Sequence, residues 1–407
     1  MNQGKQKPRL AVVSPFLDKG YGTERIIIEW IAQLAGEFEV HVYSQQVQDL
    51  DLSQIVWHRV PKLPGPHIVN FLWWFAANHL WRSWGRRVRG LHHDIVFSPG
   101  VNCLDADVIS VHIVFAEFLQ RVRSELKFSR NSVSFWPKLL HRKLYYRLII
   151  WLESRLYRDP GTVLVLYAQK TAKDLDRIYG RRDRCFVLYL GLDHTAYHPA
   201  RRAALRERAR QQLGLADGRF ALLMVGNDWH KKGIRVLLDA MQLLRDLPVD
   251  LLLVGREDPA PFRAMVLEKG LDGRVSFLPP RNDVEFYYAA ADAYAGPSLE
   301  DTFALPPAEA MATGLPVVVS IENGTFEIIT DGVDGMILRD PNDAAALASM
   351  IRRLHDDKEF RSQMGERAAE TAAQFTWERN GRDLSAIFHE VLRRKARLEP
   401  QTLTQES

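Results

Sequence analysis

Cysteine is almost missing from this chain: Cys103 and Cys185 are the only two in 407 residues. That scarcity argues against a disulfide scaffold or a Cys-built metal site and fits a reducing compartment. Long hydrophobic runs are missing too, since no uninterrupted apolar stretch is long enough to span a bilayer. The opening MNQGKQKPRLAVVSPF has too short an apolar run for a secretory leader. Charge of one sign is scarce: 54 Lys and Arg against 50 Asp and Glu leave a net +4, which demands no nucleic-acid partner. No Gly-x-Gly-x-x-Gly follows the first strand-like segment, which argues against a nicotinamide dehydrogenase, and none of the recognised metal-ligand spacings is present. No metal or cofactor is therefore expected. The expected location is cytoplasmic, with attachment to the inner face of a membrane left open.

What is present is an ordinary globular composition, 46% hydrophobic and 26% charged, in a chain long enough for about two domains. Residues 10–15 form an apolar strand-like run, 18–23 a glycine-bearing turn, 24–35 a helix, and Val40, Val42 and Tyr43 suggest the next strand. Strand, turn, helix, strand is the opening of a doubly wound α/β domain, whose turns face the ligand crevice. Strands are expected again at 94–98, 107–112, 163–166 and 186–189. After the charged helix 201–213 the rhythm restarts with strands at 220–225, 250–255 and 275–278. The spacing predicts one domain over 1–195 and a second over 196–377.

The densest stretch is 294–329, YAGPSLEDTFALPPAEAMATGLPVVVSIENGTFEII. Pro306 and Pro307 suit a first helical turn, where missing N–H groups go unnoticed. Thr313-Gly314 stops the helix, and Val317, Val318 and Val319 read as a buried strand. Asp301 precedes the helix, where unpaired N–H groups and the macrodipole favour an anion such as phosphate. Glu309 lies within it, a carboxylate able to accept two hydroxyl hydrogen bonds, as a ribose would offer. On spacing alone, the better reading is Asp301 as a helix cap and Glu309 as a solvated surface acid.

The surrounding pattern resembles the retaining, GT-B-fold glycosyltransferases of family 4, the glycosyl transferases group 1. Pro297-Ser298, Phe303, Glu309-Ala310-Met311-Ala312, Gly314, Pro316-Val317-Val318, Gly324 and Glu327 match its signature. Asp301 stands where the family has Glu, shorter by roughly 1.5 Å; Ala304 replaces a Gly, and Asn323 replaces the first Gly of the later pair. Glu300 is a fallback for the acid. The resemblance implies an α/β GT-B protein, two Rossmann-like doubly wound domains facing a cleft, with the last helix, 378–397, crossing back to complete the first. It implies that a nucleotide sugar, UDP-, GDP- or ADP-linked, is held mainly by the second domain. Transfer of its glycosyl unit to a hydroxyl acceptor would retain the anomeric configuration.

Residue by residue, the resemblance gives Asp301 the sugar hydroxyls, Glu309 the ribose, and Lys232 with the backbone of Phe303, Ala304 and Leu305 the departing diphosphate. Lys232-Gly233 aligns with the family's Lys-Gly. Asn227 takes the place of an Arg and removes one of two expected cations, leaving Lys231, His230 or Arg256 to compensate. In the first domain Gly22, followed by Thr23, Glu24 and Arg25, resembles the family's glycine-rich loop, with Tyr21 where the first Gly is usual. His112, at the end of its strand, resembles a residue that approaches the donor sugar near its primary hydroxyl and phosphate. Residues 279–283 fall where the family turns beneath the base. Leu190 replaces an Asn before Gly191 and Asp193.

Two segments break the α/β rhythm. Residues 68–89 set Trp73, Trp74, Trp81 and Trp84 ahead of Arg86, Arg87 and Arg89. Residues 115–158 mix Phe118, Phe128, Phe135, Trp136, Tyr145 and Trp151 with many Arg and Lys. Such interleaving suits an interfacial helix on an anionic membrane surface, and also a core helix with a solvated basic face, which is the commoner case. Both segments fall where acceptor-binding insertions occur in the family, so the acceptor hypothesis is a glycan, a lipid-linked or a phosphorylated intermediate. The alternatives are a GT-B-type epimerase or phosphorylase, and a non-catalytic partner that keeps the fold.

Overall fold

The computed structural model describes residues 7–122 and 136–398. Phe128 and Phe135, singled out above, and the basic residues Lys127 and Arg130 beside them lie outside the described residues. The chain divides into two compact units, Met1–Tyr189 with Trp377–Ser407, and Leu190–Thr376.

The first unit holds a seven-stranded, wholly parallel sheet built from β1 (Arg9–Val13), β3 (Glu39–Ser44), β5 (Ile55–Arg59), β6 (Ile95–Pro99), β7 (Val108–Val111), β8 (Val163–Leu166) and β9 (Cys185–Val187). β2 (Phe16–Leu17) and β4 (Gln46–Val47) make a small separate ladder. The order across the main sheet is β5-β3-β1-β6-β7-β8-β9. The chain therefore winds outward one way, returns to the middle and winds out the other way, and the topological switch lies between β1 and β6. RLAVV and VLVL are near-continuous apolar runs because helices cover both faces of a parallel sheet. Those helices are α1 (Gly22–Leu34), α2 (His67–Arg89), α3 (Phe115–Val122), α4 (Trp136–Tyr157) and α5 (Gln169–Tyr179). Trp74, Ile109, Leu152, Tyr157 and Leu164 sit together in the core.

The second unit repeats the plan. Its six-stranded parallel sheet is β10 (Phe220–Val225), β11 (Val249–Val254), β12 (Val275–Leu278), β13 (Ala293–Gly296), β14 (Val317–Ser320) and β15 (Met336–Leu338), in the order β12-β11-β10-β13-β14-β15. Its helices are α6 (Pro199–Gln212), α7 (Ile234–Leu243), α8 (Ala260–Glu268), α9 (Glu285–Ala290), α10 (Leu305–Ala312), α11 (Ala344–Asp356) and α12 (Lys358–Ala372). The switch lies between β10 and β13. Trp229, Leu237, Met241, Leu253 and Phe262 anchor this core.

The division differs from the expected boundaries at 195 and 377. It falls at Tyr189 because the turn that follows belongs to the second unit: Leu192 N–H donates to the Phe375 carbonyl at 3.1 Å and pairs with Thr376 in a parallel bridge. At the other end Trp377 already opens α13 (Trp377–Leu398). That helix packs on the first unit, where Asn380 accepts from Trp30 Nε1 and donates to the Tyr189 carbonyl at 2.7 Å. Ser385 Oγ donates to Glu37 Oε2 at 2.6 Å, and Phe388 meets Phe38 edge-on.

Among the elements additional to those read from sequence, three show why a local reading passes over them. β5, IVWHR, is an edge strand whose outward residues are not buried, so it shows no apolar run. β15 is three residues long. α12, KEFRSQMGERAAETA, is mostly polar and buries only a narrow seam, with Gly365 set so tightly that an added Cβ would lie 2.4 Å from the Gly314 carbonyl oxygen.

Candidate active site

The second unit's site is built where β10 and β13 end, on the two sides of the switch. β10 runs into Gly226 and a turn that closes at Gly233, whose φ of 83° is left-handed and which caps α7. A Cβ on Gly233 would lie 2.1 Å from the Pro297 carbonyl oxygen, so only glycine lets this turn lie against the one after β13. A Cβ on Gly226, at φ 147°, would sit 3.0 Å from Lys232 Cε, so the lysine stem lies across the strand end. The turn is pinned from below by Trp229, fully buried against Phe262 and Phe277, with its backbone N–H donating to Glu257 Oε2 at 2.5 Å.

The turn after β13 is held as firmly. Leu299 N–H donates to the Lys231 carbonyl at 2.7 Å, Asp301 N–H to the Glu322 carbonyl at 2.9 Å, and Gly324 N–H to the Asp301 carbonyl at 3.1 Å. Ser320 Oγ donates to the Ser298 carbonyl. Asn323 is buried, its Oδ1 accepting from Thr325 N–H at 3.2 Å and its Nδ2 donating to Ser298 Oγ at 3.4 Å. Asparagine in place of the family's glycine is thus a brace of this turn. Between the two turns the Lys232 ammonium forms an ion pair with Asp301 Oδ2, and both side chains are largely buried. Asp301 therefore engages a cation rather than capping α10, whose N-cap, Ala304, has no side-chain cap.

α10 begins at Leu305, with Phe303, Ala304 and Leu305 all buried. Pro306 and Pro307 supply no N–H in the first turn, so the donors at this helix end are concentrated on the backbone just before and after them. Thr325 Oγ1 donates to the Ala304 carbonyl at 2.7 Å and fixes the entry to the helix. Glu309 is 3% exposed, which rules out a solvated surface acid. Its Oε2 accepts from the Tyr288 hydroxyl at 2.8 Å. Burial, then the nearby Glu309 charge, pushes the Tyr288 hydroxyl well above its usual pKa, so it remains a donor. Tyr294 is likewise pushed up by burial, with Asp301 and Glu309 both adding to the effect, so one ring senses both carboxylates.

Asn227 has a local role. Its Oδ1 accepts from Arg256 N–H at 2.9 Å, tying the turn after β10 to the turn after β11. Of the cations considered as replacements for the absent arginine, Lys231 pairs with Asp228 at 3.2 Å and His230 lies tilted against Phe262 with centroids 4.9 Å apart. Arg256 is exposed and adjoins Asn227 through that hydrogen bond.

Gly22 and His112 belong to the first unit. Gly22 opens α1, and nothing lies within 4 Å of where its Cβ would be. Glu24, in the first turn, is pushed up to about 6 by burial. His112 follows β7 directly; its Nε2 lies 3.0 Å from Ser110 Oγ and 3.3 Å from the Tyr167 hydroxyl. Burial pushes its imidazole down to about 3, so it is neutral at pH 7 and acts through hydrogen bonds. A pocket of about 510 Å³ opens beside the ends of β1 and β3, lined by Asp18, Tyr21, Lys62, His67, Trp74 and Tyr145 among others.

The structure thus joins Lys232 to Asp301 directly, sets Glu309 close by behind Tyr294, and places Gly22 and His112 at strand-end positions of the other unit. Sequence reasoning missed Tyr288, Glu257 and the pocket residues Lys62 and His67. Tyr288 stands 21 residues from the carboxylate it supports, and no local pattern signals that pairing. Among the described residues no group of three or more His, Cys, Asp or Glu is placed to hold a metal ion, and no helix is long and apolar enough to cross a membrane.

Residues 206–371 match the family model for glycosyl transferases group 1. The second unit is a glycosyl transferases group 1 domain. The chain is similar to the D-inositol 3-phosphate glycosyltransferase of Corynebacterium efficiens, 34% identical over 245 residues that cover 57% of each protein. It is also similar to that of Arthrobacter sp. strain FB24, 35% identical over 242 residues, 57% of this chain and 56% of that one. The chain spans a little over half the length of these curated relatives. Among solved structures it resembles WaaG, a glycosyltransferase involved in lipopolysaccharide biosynthesis, with a TM-score of 0.76 at 22% identity over 93% of this chain and 99% of that one. It also resembles HepE of Anabaena, solved with UDP-glucose, with a TM-score of 0.71 at 20% identity over 94% and 99% of the two chains. At that identity the likeness speaks to fold. The group 1 domain is one of the two Rossmann-like units of a GT-B protein.

Proposed function

We propose that this protein is a retaining glycosyltransferase that moves a sugar from a nucleoside diphosphate to an acceptor hydroxyl. The observation that carries the reading is the Lys232–Asp301 pair at the switch point of the second sheet, beside the buried start of α10. The glycosyl C1–O bond to phosphate breaks, and the nucleoside diphosphate leaves with the electron pair. The Lys232 ammonium and the backbone N–H groups at 303–305 stabilise its charge as it grows. The acceptor oxygen bonds to C1 from the same face, and its proton passes to the departing phosphate oxygen. Asp301 holds the sugar hydroxyls and Glu309, steadied by Tyr288, the ribose. Donor phosphate competes with Asp301 for the Lys232 ammonium, so donor binding exchanges an ion pair within the protein for one with phosphate while the acid stays beside the ammonium.

The acceptor is assigned to the first unit. Its pocket offers aromatic faces at Tyr21 and Tyr145, suited to a sugar or cyclitol ring, and Lys62 for an anionic substituent. The curated relatives are named for glycosyl transfer involving inositol 3-phosphate, which supports a phosphorylated polyol as the first acceptor to try. HepE supports UDP-glucose as the first donor.

The test is thermal-shift titration of the purified chain with UDP-, GDP- and ADP-sugars, followed by a turnover assay with the sugar that stabilises it. A donor at 100 times its dissociation constant adds about 2.7 kcal/mol. Lys232→Met and Glu309→Gln are expected to remove most of that shift. No shift with any nucleotide sugar, or a shift that both variants keep, overturns the site. A shift without turnover or hydrolysis favours the non-catalytic partner.

A further inference from the structure

We propose that the outward faces of α2 and α4 dock on the surface of an anionic lipid bilayer. Both helices are in the first unit and pack on each other through Tyr145, whose ring meets His67 and Phe71 edge-on. Each buries one face in the ordinary way: Trp74 and Ala77 from α2, and Leu139, Ile149, Leu152 and Leu156 from α4. A helix that has spent its apolar face on the core should turn a polar face outward. These do not.

On α2, Leu72, Leu80, Trp84 and Val88 recur at multiples of four and so lie along one ridge that winds slowly around the helix, with Leu80 60% and Trp84 49% exposed. On α4, Leu140, Leu144 and Trp151, spaced four and then seven residues apart, share one face, with Leu140 52% and Trp151 56% exposed. Exposed tryptophan and leucine on two neighbouring helices is the kind of apolar surface that marks an interaction site.

The charge on the same faces selects the partner. Arg86, Arg87 and Arg89 close α2, and Arg147 and Arg155 alternate with the apolar residues of α4, with Lys138 and Arg142 flanking them. Arg89 lies over the Trp84 ring at 4.6 Å. α2 contains no Asp or Glu, and α4 contains Glu153 alone, which is fully buried and bonded to Phe115 N–H and the Tyr179 hydroxyl. A protein partner would be met by charges of both signs. A surface of cations and tryptophan without acids fits the anionic headgroup layer, where indole rings sit at the interface and Lys and Arg reach the phosphates. Neither helix is apolar enough to cross, so the contact is a lateral one.

This inference stands apart from the transfer reaction and is tested without substrate. The full chain is sedimented with vesicles of phosphatidylcholine containing phosphatidylglycerol, and with phosphatidylcholine alone. Binding is expected to the anionic vesicles and to be weaker by about tenfold or more on neutral ones. The double variants Leu144→Glu with Trp151→Glu, and Arg147→Glu with Arg155→Glu, should each lower binding by at least about tenfold while melting at the parent temperature, because all four positions face outward. Arg352→Glu, on α11 of the second unit, serves as a charge control and should bind as the parent does. Failure to bind anionic vesicles, equal binding to both compositions, or parent-like binding by both double variants overturns the proposal. So does a parent dimer that these variants dissociate in the absence of vesicles, which would assign the face to a second copy of the chain.

Discussion

Replacing Gly233 with alanine asks whether the turns that carry Lys232 and Asp301 have to touch. At φ 83° a Cβ costs roughly 1–2 kcal/mol from backbone strain alone. It would also lie 2.1 Å from the Pro297 carbonyl oxygen, far inside van der Waals contact. That carbonyl cannot simply swing aside, because the next one, at Ser298, accepts from Ser320 Oγ. The turn after β10 must therefore lift by on the order of 1 Å, and overpacking of this kind adds about 1–3 kcal/mol. Gly270 supplies the control within the same unit: its φ is 64°, and nothing lies within 4 Å of its Cβ position. Gly270→Ala should lose about 1–2 kcal/mol and Gly233→Ala about 2–5 kcal/mol, read in urea, with Tm falling by about 3 °C per kcal/mol for a domain of this size. The donor-induced shift should survive in Gly270→Ala and be largely lost in Gly233→Ala, whose Lys232 no longer reaches Asp301. Equal losses of stability, together with equal donor shifts in the two variants, would refute the argument that contact between the turns builds the site.

Tyr288→Phe removes the hydroxyl that holds Glu309 and leaves a buried carboxylate oxygen short of a donor; about 2 kcal/mol of stability and roughly tenfold in donor affinity should go with it, measured by urea denaturation and titration. Acid should loosen the first unit through His58 and His93, which burial, with His41 next, pushes down to about 4 and about 3. Both are depressed below their ordinary value of 6.5, so their contribution is whole above about pH 6.5 and is lost as pH falls toward 4. His58→Gln should flatten the fall in urea midpoint between pH 7 and pH 5, by on the order of 1 kcal/mol after allowance for partial exposure. Glu153 has the opposite sign: burial raises it to about 7, so its folded state is favoured below the ordinary 4.5 and that advantage fades as pH rises through 7. Glu153→Gln, which keeps the acceptor to Phe115 N–H, should remove this dependence from the pH profile of stability between 5 and 8.

The parts of the fold that were legible in the sequence are those whose cause is local. FALLMV, VDLLLV and VVVS are strands of a sheet covered on both faces, and nothing else explains such runs between glycine turns. The order loop, helix, Gly stop and strand around 301–319 is written in Pro306, Pro307, Thr313 and Gly314. Elements escaped where that cause is weak: β5 is an edge strand with a half-polar sequence, and α12 shows little but polar residues because its buried seam is narrow. The boundary after Tyr189 escaped because it depends on Leu192 pairing with Thr376, across nearly the whole second unit.

Side-chain partnerships divide the same way. Resemblance to the family's signature singled out Lys232, Asp301 and Glu309, since their spacing alone left a helix cap and a surface acid as readings. It did not reveal that Lys232 and Asp301 bind each other, that Asn323 braces a turn, or that Glu309 rests on Tyr288. Nor could it tell a buried aromatic from an exposed one. Trp74 and Trp84 lie on the same helix in similar company, yet one is in the core and the other faces outward.

The chain alone determined two α/β units and the glycine- and proline-bearing turns between their elements, since strand, turn and helix preferences act over a few residues. Which acid meets which cation, and which tryptophan meets water, was decided only when the strand order brought residues many positions apart to one edge of a sheet. Burial and pairing are properties of that assembled surface, and no stretch of sequence carries them by itself.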